Sequence, residues 1–167
     1  NQEAIIADIR LAKEIHAAND LPFDLFIFPR NLIGFRDLLA ENGIKVYRGH
    51  KKRWYESLPC KLLHRLLNLT CYILGITPST VKANKDEHGL INVPASMQLA
   101  GRAGSIRSLI PNKNLRRMVM AGIDSAIKKK EIFHLYCHPS DFAFHTEKQF
   151  QNLESIFQQV NELREKG

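Results

Sequence analysis

The chain has 167 residues, 44% of them hydrophobic, which is the composition of an ordinary globular protein with a core of its own. Its 24 basic and 17 acidic residues give a net charge of +7, but the basic clusters lack the interleaved aromatic residues of nucleic-acid-binding modules, so no nucleic-acid partner is expected. The longest mainly apolar run, residues 66–76, is too short to cross a bilayer, so no membrane-spanning segment is expected.

Hydrophobic periodicity predicts helices and short strands in alternation. Apolar residues at helical spacing predict helices over residues 3–18, 34–42, 58–74, 112–130 and 147–166. Short runs of branched and aromatic residues predict strands over residues 24–28, 44–47, 90–93 and 132–137. This alternation indicates an α/β fold in which a parallel sheet is covered by helices. We expect a single domain over residues 1–167.

Two of the helices carry apolar stripes that should form the core. Both stripes recur every three to four residues, as on the buried side of an amphipathic helix. In the helix over 112–130 the stripe consists of Leu115, Val119, Ile123 and Ile127. In the helix over 58–74 the predicted core residues are Leu62, Leu63, Leu66, Leu67 and Leu74.

Polar residues follow each predicted strand. Because the carboxyl ends of parallel strands share one edge of a sheet, we expect the segments that follow them to cluster. These segments are Pro29-Arg30-Asn31, Arg48-Gly49-His50, Pro94-Ala95-Ser96 and His138-Pro139-Ser140. Their convergence predicts a site that combines arginine, histidine, asparagine and serine.

His138 is the most informative residue of this set. It ends a strand and precedes Pro139, which cannot continue the strand ladder. We interpret it as a catalytic or binding residue, with a structural hydrogen bond at the strand end as the alternative. His134 has H-x-x-x-H spacing with it, but along an extended strand the two would lie roughly 13 Å apart at ~3.3 Å per residue. One metal cannot bind both, so His134 is interpreted as a core or supporting histidine.

Three other residues have two interpretations each. Arg30 either orients a carboxylate or binds substrate, or it closes a loop through an ion pair. Trp54 and Tyr55 either form a wall that contacts sugar or acyl groups, or they anchor a long loop.

Cysteine usage favours a reducing compartment. Cys60, Cys71 and Cys137 are odd in number and have no C-x-x-C spacing, so neither a disulfide framework nor a zinc knuckle is expected. Reduced thiols and the lack of a signal-peptide pattern predict a cytoplasmic location.

Five segments, taken in chain order, resemble a known family. They are residues 26–31 (FIFPRN), 47–49 (YRG), 54–55 (WY), 89–96 (GLINVPAS) and 133–139 (FHLYCHP). Together they are similar to the C-terminal half of polysaccharide deacetylases with the NodB-homology domain, in particular to members from bacterial surface-polysaccharide gene clusters. The similarity covers nearly the whole chain.

The resemblance implies a fold, a cofactor and a reaction. The fold is part of a distorted (β/α) barrel, and the cofactor is a divalent metal, usually zinc. The reaction is hydrolysis of an N- or O-acetyl group on an acetylated polysaccharide or oligosaccharide. The metal polarises the carbonyl and lowers the pKa of water.

The resemblance also assigns roles to individual residues. His138 matches the late-motif histidine that protonates the leaving amine or alcohol. Arg30 and Asn31 match the middle motif, which orients the catalytic base and whose backbone N–H stabilises the oxyanion. Tyr136 stands where the family has a leucine of the acetyl pocket. The predicted substrate-binding residues are Pro29, Trp54, Tyr55 and Tyr136.

The metal ligands and the catalytic base of the family lie upstream of the middle motif. Only one helix is predicted before that motif here, so we expect this chain to be the C-terminal part of a deacetylase that contains no metal ligands and is inactive alone. The alternative is a non-catalytic glycan-binding or interaction domain that retains the fold. A basic nucleic-acid-binding module is a weaker third hypothesis.

Overall fold

The computed structural model describes residues 2–51, 53–99 and 110–166. These residues contain five α-helices, which confirm the predicted ones: α1 (Gln2–Ala18), α2 (Arg36–Glu41), α3 (Lys61–Leu74), α4 (Asn112–Lys129) and α5 (Thr146–Glu165). They also contain six short strands: β1 (Leu25–Ile27), β2 (Val46–Arg48), β3 (Asn84–Lys85), β4 (Ile91–Asn92), β5 (Met97–Gln98) and β6 (Leu135–Tyr136). The α/β class is confirmed, whereas the barrel stays a prediction.

The chain divides into two compact units. Unit 1 comprises Asn1–Lys51 and Lys82–Ala95, and unit 2 comprises Lys52–Val81 and Ser96–Gly167. Each unit has its own cluster of buried apolar side chains. The division does not test the prediction that residues 1–167 form a single domain, so this stays a prediction.

Unit 1 is built on a four-stranded sheet in the order β1-β2-β4-β3. Strands β1, β2 and β4 are parallel, and β3 pairs antiparallel with β4. The register places Phe26 beside Tyr47, and Tyr47 beside Asn92. The three strands predicted over 24–28, 44–47 and 90–93 are therefore present, and their carboxyl ends share one edge, as predicted.

The core of unit 1 joins α1 and α2 to this sheet. Ile9 of α1 is buried among residues of the sheet and of α2, and the rings of Phe28 and Tyr47 meet edge to face with centroids 5.7 Å apart. After α2 the chain turns sharply at Gly43, whose φ of 91° is one that other residues rarely adopt. This turn places Ile44 in the core directly before β2.

Asp86 closes the turn between β3 and β4. Its carboxylate accepts hydrogen bonds from the backbone N–H groups of His88 and Leu90, both at 3.0 Å, and pairs with Arg36 Nη1 of α2 at 2.9 Å. Burial opposes ionisation of this carboxyl, but the two N–H groups and the guanidinium outweigh it and hold the pKa of Asp86 below its ordinary 3.8. The turn is thereby tied to α2.

We expect acid to weaken unit 1 through Asp86. Because the pKa is lower in the folded state, the stabilisation is complete above the unfolded pKa and is lost as the pH falls through the folded pKa. Asp86→Asn should therefore lower the midpoint of urea unfolding at pH 7. The midpoint of this variant should also fall less steeply than that of the wild type as the pH drops below about 4. Asp8→Asn, at an exposed aspartate of α1, is the control. An identical acid dependence in the wild type and Asp86→Asn would contradict this assignment.

Unit 2 combines α3, α4 and α5 with a two-stranded parallel sheet, in which Gln98 of β5 lies beside Tyr136 of β6. The strand predicted over 132–137 is thus shortened, and it pairs with a strand that the sequence pattern did not indicate. Two residues are too few for a periodic signal. The core cluster consists of Tyr72, Met97, Leu99, Ile110, Leu115, Met118, Val119 and Ile156.

Helix α4 follows most of its predicted stripe. Leu115 and Val119 are fully buried, and Ile123 packs against the core cluster. Ile127 is 60% exposed, so its prediction as a core residue is wrong. It lies in the last turn of the helix, next to the exposed Lys128 and Lys129.

Helix α3 reverses the predicted arrangement. Four of the predicted core residues are instead 40–64% exposed, namely Leu62, Leu63, Leu66 and Leu74. Leu67 is half-buried. The inward side carries Tyr72, whose hydroxyl donates to the Gln98 carbonyl at 2.9 Å, and Asn68, whose Oδ1 accepts from the Tyr55 hydroxyl at 3.0 Å. These polar contacts orient the helix with its leucines outward, so the core prediction is wrong.

Candidate functional site

The turn after β1 holds the predicted middle-motif residues. Pro29–Asn31 forms a 3-10 turn in which Arg30 and Asn31 have positive φ values of 54° and 56°. Asparagine tolerates this region, whereas arginine is strained in it. The Asn31 N–H donates to the Phe28 carbonyl at 3.1 Å. The Arg30 side chain is exposed and takes part in no ion pair among the described residues.

The ends of β2 and β4 meet at the same edge of the unit 1 sheet. Arg48 Nη2 donates to Asn31 Oδ1 at 3.4 Å. A Cβ on Gly49 would lie 2.1 Å from Asn92 Oδ1, so the Asn92 side chain fits there only beside a glycine. Asn92 Oδ1 is buried and has no hydrogen-bond partner among the described residues. The structure thus brings together two of the four predicted segments, at Asn31 and Arg48, with Asn92 of β4. Ser96 of the third predicted segment and all of the fourth, at His138, belong to unit 2.

An apolar cleft opens beside the turn after β1. Its volume is about 410 Å³, and its lining comes from α1, from β1 and the residues after it, and from α2 and the segment that leads into it. The lining residues, which include Ile9, Phe28 and Pro29, carry no titratable side chain. The cleft suits an apolar group and supplies no acid or base of its own.

His138 lies on the surface of unit 2, after β6. Its ring meets the ring of Tyr136 edge to face, with centroids 5.8 Å apart, because residues two apart along a strand share a face. Tyr136 is half-buried and His138 is exposed. The two residues that the resemblance assigns to the acid and to the acetyl pocket are therefore neighbours.

Asp141, which the sequence did not single out, fixes the backbone at His138. The His138 N–H donates to Asp141 Oδ2 at 2.8 Å, and Gln98 Nε2 of β5 donates to the same oxygen at 3.2 Å. The Asp141 N–H donates in turn to the His138 carbonyl at 2.9 Å. Asp141 stands three positions after His138, where the turn starts, and Pro139 lies between them. This is a local capping pattern that could have identified Asp141 from the sequence.

We expect Asp141→Ala to loosen the turn at His138. Without the carboxylate, the His138 amide loses its acceptor, so its hydrogen exchange should become about two- to tenfold faster. Amide exchange followed by NMR measures this. Asp124→Ala, at an exposed acid of α4, is the matched control. Unchanged exchange at His138 would show that Asp141 does not hold this backbone.

Trp54 and Tyr55 begin a 3-10 turn, Trp54–Ser57, that precedes α3. Trp54 is 70% exposed, whereas Tyr55 is 4% exposed and accepts a hydrogen bond from Arg53 Nη1 at 2.6 Å. Burial raises the pKa of the Tyr55 hydroxyl, and the guanidinium of Arg53 offsets this only in part. Tyr55 therefore anchors the turn, as in the alternative interpretation, and its contact with substrate stays a prediction. Trp54 is accessible to a ligand.

The residues described here do not fit a metal site. They contain no group of three or more His, Cys, Asp or Glu side chains that could hold a metal ion. The backbone of the half-buried His134 pairs with Ser96, which directly precedes β5: the His134 N–H donates to Ser96 Oγ at 3.1 Å, and the His134 carbonyl accepts from the Ser96 N–H at 2.9 Å. The cysteines are free thiols: Cys60, Cys71 and Cys137.

Comparisons with known proteins identify no relative of this chain. No family model, curated protein or solved structure matches this chain. Within the described part of the chain, no helix has both the length and the apolar character needed to cross a bilayer. The functional argument therefore depends on the residues and contacts described above.

Proposed function

We propose that this chain is the C-terminal part of a metal-dependent polysaccharide deacetylase with a distorted (β/α) barrel. One observation supports this most directly: the segments that resemble the family coincide with parallel strands and their carboxyl ends, where α/β enzymes place reactive groups. FIFPRN, YRG and GLINVPAS contain residues of β1, β2 and β4 in unit 1, and FHLYCHP contains β6 in unit 2.

In this proposal the turn after β1 contributes to binding of the acetylated sugar. The N–H of Arg30, in the strained turn after β1, donates to the oxyanion that forms when the acetyl carbonyl is attacked. Arg48 donates a hydrogen bond to the side chain of Asn31 in the same turn.

The resemblance assigns the proton donor to His138 in the same proposal. The His138 ring donates a proton to the leaving nitrogen or oxygen as its bond to the acetyl carbon breaks, which yields acetate and a free sugar amine or hydroxyl. Tyr136 borders the acetyl group, and Trp54 packs against the sugar ring. Metal binding is assigned to the upstream motifs of the family, because the described residues contain no group of side chains that could hold a metal ion.

Acetate release tests this proposal. The complete natural polypeptide that carries this chain should release acetate from an N- or O-acetylated oligosaccharide. A chelator should abolish the release, and added zinc should restore it. A polypeptide that contains zinc but releases no acetate from a panel of both substrate types would overturn the proposal.

A non-catalytic glycan-binding domain is the alternative, and the exposed Trp54 favours it. Trp54 is the sole tryptophan of the chain, so tryptophan fluorescence reports on this position alone. We expect an acetylated oligosaccharide to change the emission saturably, and Trp54→Ala to weaken binding measured by calorimetry about two- to tenfold. Phe144→Ala, at another exposed aromatic residue of unit 2, is the control. Binding without any acetate release would support this alternative, and equal binding by both variants would exclude Trp54 from the contact.

A further inference from the structure

Helix α3 presents an apolar stripe that the packing of unit 2 leaves exposed. Leu62, Leu66 and Ile73 recur at spacings of four and seven residues and are 64%, 52% and 38% exposed. Leu63 and Leu74 extend the stripe along the same outward side, with exposures of 40% and 61%. A contiguous apolar surface of this kind marks an interaction site.

The inward side of α3 shows why this stripe cannot turn into the core. Tyr72 donates to the Gln98 carbonyl, Asn68 accepts from Tyr55, and His64 Nε2 lies 2.8 Å from the Leu58 carbonyl. Rotating the helix to bury its leucines would break these hydrogen bonds and leave buried polar groups unpaired. The outward position of the stripe is therefore fixed by the packing of unit 2.

The charges around α3 indicate which partner covers the stripe. Residues 57–85 contain no aspartate or glutamate. Lys61 and Arg65 of α3 are exposed and take part in no ion pair among the described residues. Arg117 adds a cation at the carboxyl end of the helix, where its Nη2 donates to the Leu74 carbonyl at 2.9 Å. An apolar stripe on a helix that carries exposed cations and no acid matches an anionic lipid surface.

The same charges disfavour a second copy of this chain as the partner. Two α3 helices packed through their stripes would place the cations of both copies, Lys61 and Arg65, at one interface. No carboxylate of α3 is available to pair with them. Like charges that face each other across an interface weaken it.

We propose that α3 lies in the plane of an anionic membrane surface. Leu62, Leu66 and Ile73 reach the acyl chains, and Lys61 and Arg65 contact the anionic headgroups. With 14 residues the helix is too short to span a bilayer, so the attachment is peripheral. It weakens as salt screens the cations. This inference does not depend on the proposed deacetylase activity.

Vesicle flotation with the 167-residue chain tests the inference. We expect the chain to float with phosphatidylcholine vesicles that contain phosphatidylglycerol, and to remain unbound with pure phosphatidylcholine. The double variant Leu62→Gln/Leu66→Gln should weaken binding about tenfold or more, because glutamine keeps the helix but not the apolar contact. Ile127→Gln/Phe157→Gln removes two equally exposed apolar side chains from α4 and α5 and should bind like the wild type.

A second double variant tests the charges. Lys61→Gln/Arg65→Gln should weaken binding to the anionic vesicles about tenfold or more. Three outcomes would overturn the inference. One is the absence of flotation with anionic vesicles. Another is an equal loss of vesicle binding in Leu62→Gln/Leu66→Gln and in Ile127→Gln/Phe157→Gln. The third is a chain that binds no vesicle but forms a dimer, if Leu62→Gln/Leu66→Gln dissociates that dimer. This outcome would assign the stripe to contact with a second copy. The flotation assay contains no glycan, so its outcome does not test acetate release.

Discussion

His138→Asn should lower the turnover number of acetate release by about 10²–10⁴-fold, the usual range for loss of a general acid. Asparagine cannot protonate a leaving amine or alcohol. The His138 side chain is exposed and its N–H is held by Asp141, so the substitution should leave the fold intact. Steady-state kinetics on the complete natural polypeptide measure the effect. We expect kcat to fall while KM changes little, because the proton transfer occurs only in the transition state.

The matched control for this variant is His145→Asn. His145 is also exposed and has a φ of 52°, a conformation that asparagine adopts readily, so the same chemical change is made without new strain. An aryl acetate adds a second readout, because its leaving group departs without a proton, and its hydrolysis should fall at most about tenfold in His138→Asn. Equal losses in both histidine variants, or for both substrates in His138→Asn, would contradict the role of His138 as the acid.

Much of the fold could be predicted from the sequence because its signals are local. The helices are long enough for a periodic pattern, and branched and aromatic runs mark β1, β2 and β4. The parallel arrangement then follows from the helices between the strands. The strand β5 was missed, since Met97–Gln98 is too short to show a period. The pairing of Gln98 with Tyr136 depends on residues that are distant in sequence.

The candidate site could be predicted in outline but not in its contacts. The rule that parallel strands share a carboxyl edge identified the segments at Asn31 and Arg48, which the structure brings within hydrogen-bonding distance. The close approach of Gly49 to Asn92 could not be predicted, because it depends on the register of two strands. For His138, the sequence indicated a strand end but not the carboxylate that holds it, since Asp141 also binds Gln98 from another strand.

Leu66 and Leu115 show most clearly what the sequence pattern cannot decide. Both lie on the apolar stripe of an amphipathic helix, and the pattern predicts that both are buried. In the structure Leu115 is 1% exposed and Leu66 is 52% exposed. The difference comes from the partners of each helix. The inward side of α3 is occupied by Tyr72, whose hydroxyl binds a backbone carbonyl, so its leucines face outward.

Leu115→Ala should therefore destabilise unit 2 by about 2–5 kcal/mol, because it leaves a cavity in the core cluster around Met97 and Val119. This is a large part of the roughly 5–15 kcal/mol that keeps a domain folded. Alanine is the best helix former, so the loss measures packing and not helix propensity. Urea unfolding followed by the fluorescence of Trp54, which lies in unit 2, reports the change.

Ile127→Ala in the same helix is the matched control for Leu115→Ala. Ile127 is 60% exposed, so its truncation should change the free energy of unfolding by no more than about 0.5 kcal/mol. Leu66→Ala should change the free energy of unfolding as little as Ile127→Ala does, although the sequence pattern predicts that Leu66 is buried like Leu115. If Leu66→Ala were as destabilising as Leu115→Ala, the outward stripe of α3 would be wrong, and the proposed membrane contact would lose its basis. The three variants together separate a buried leucine from one that is exposed for a partner.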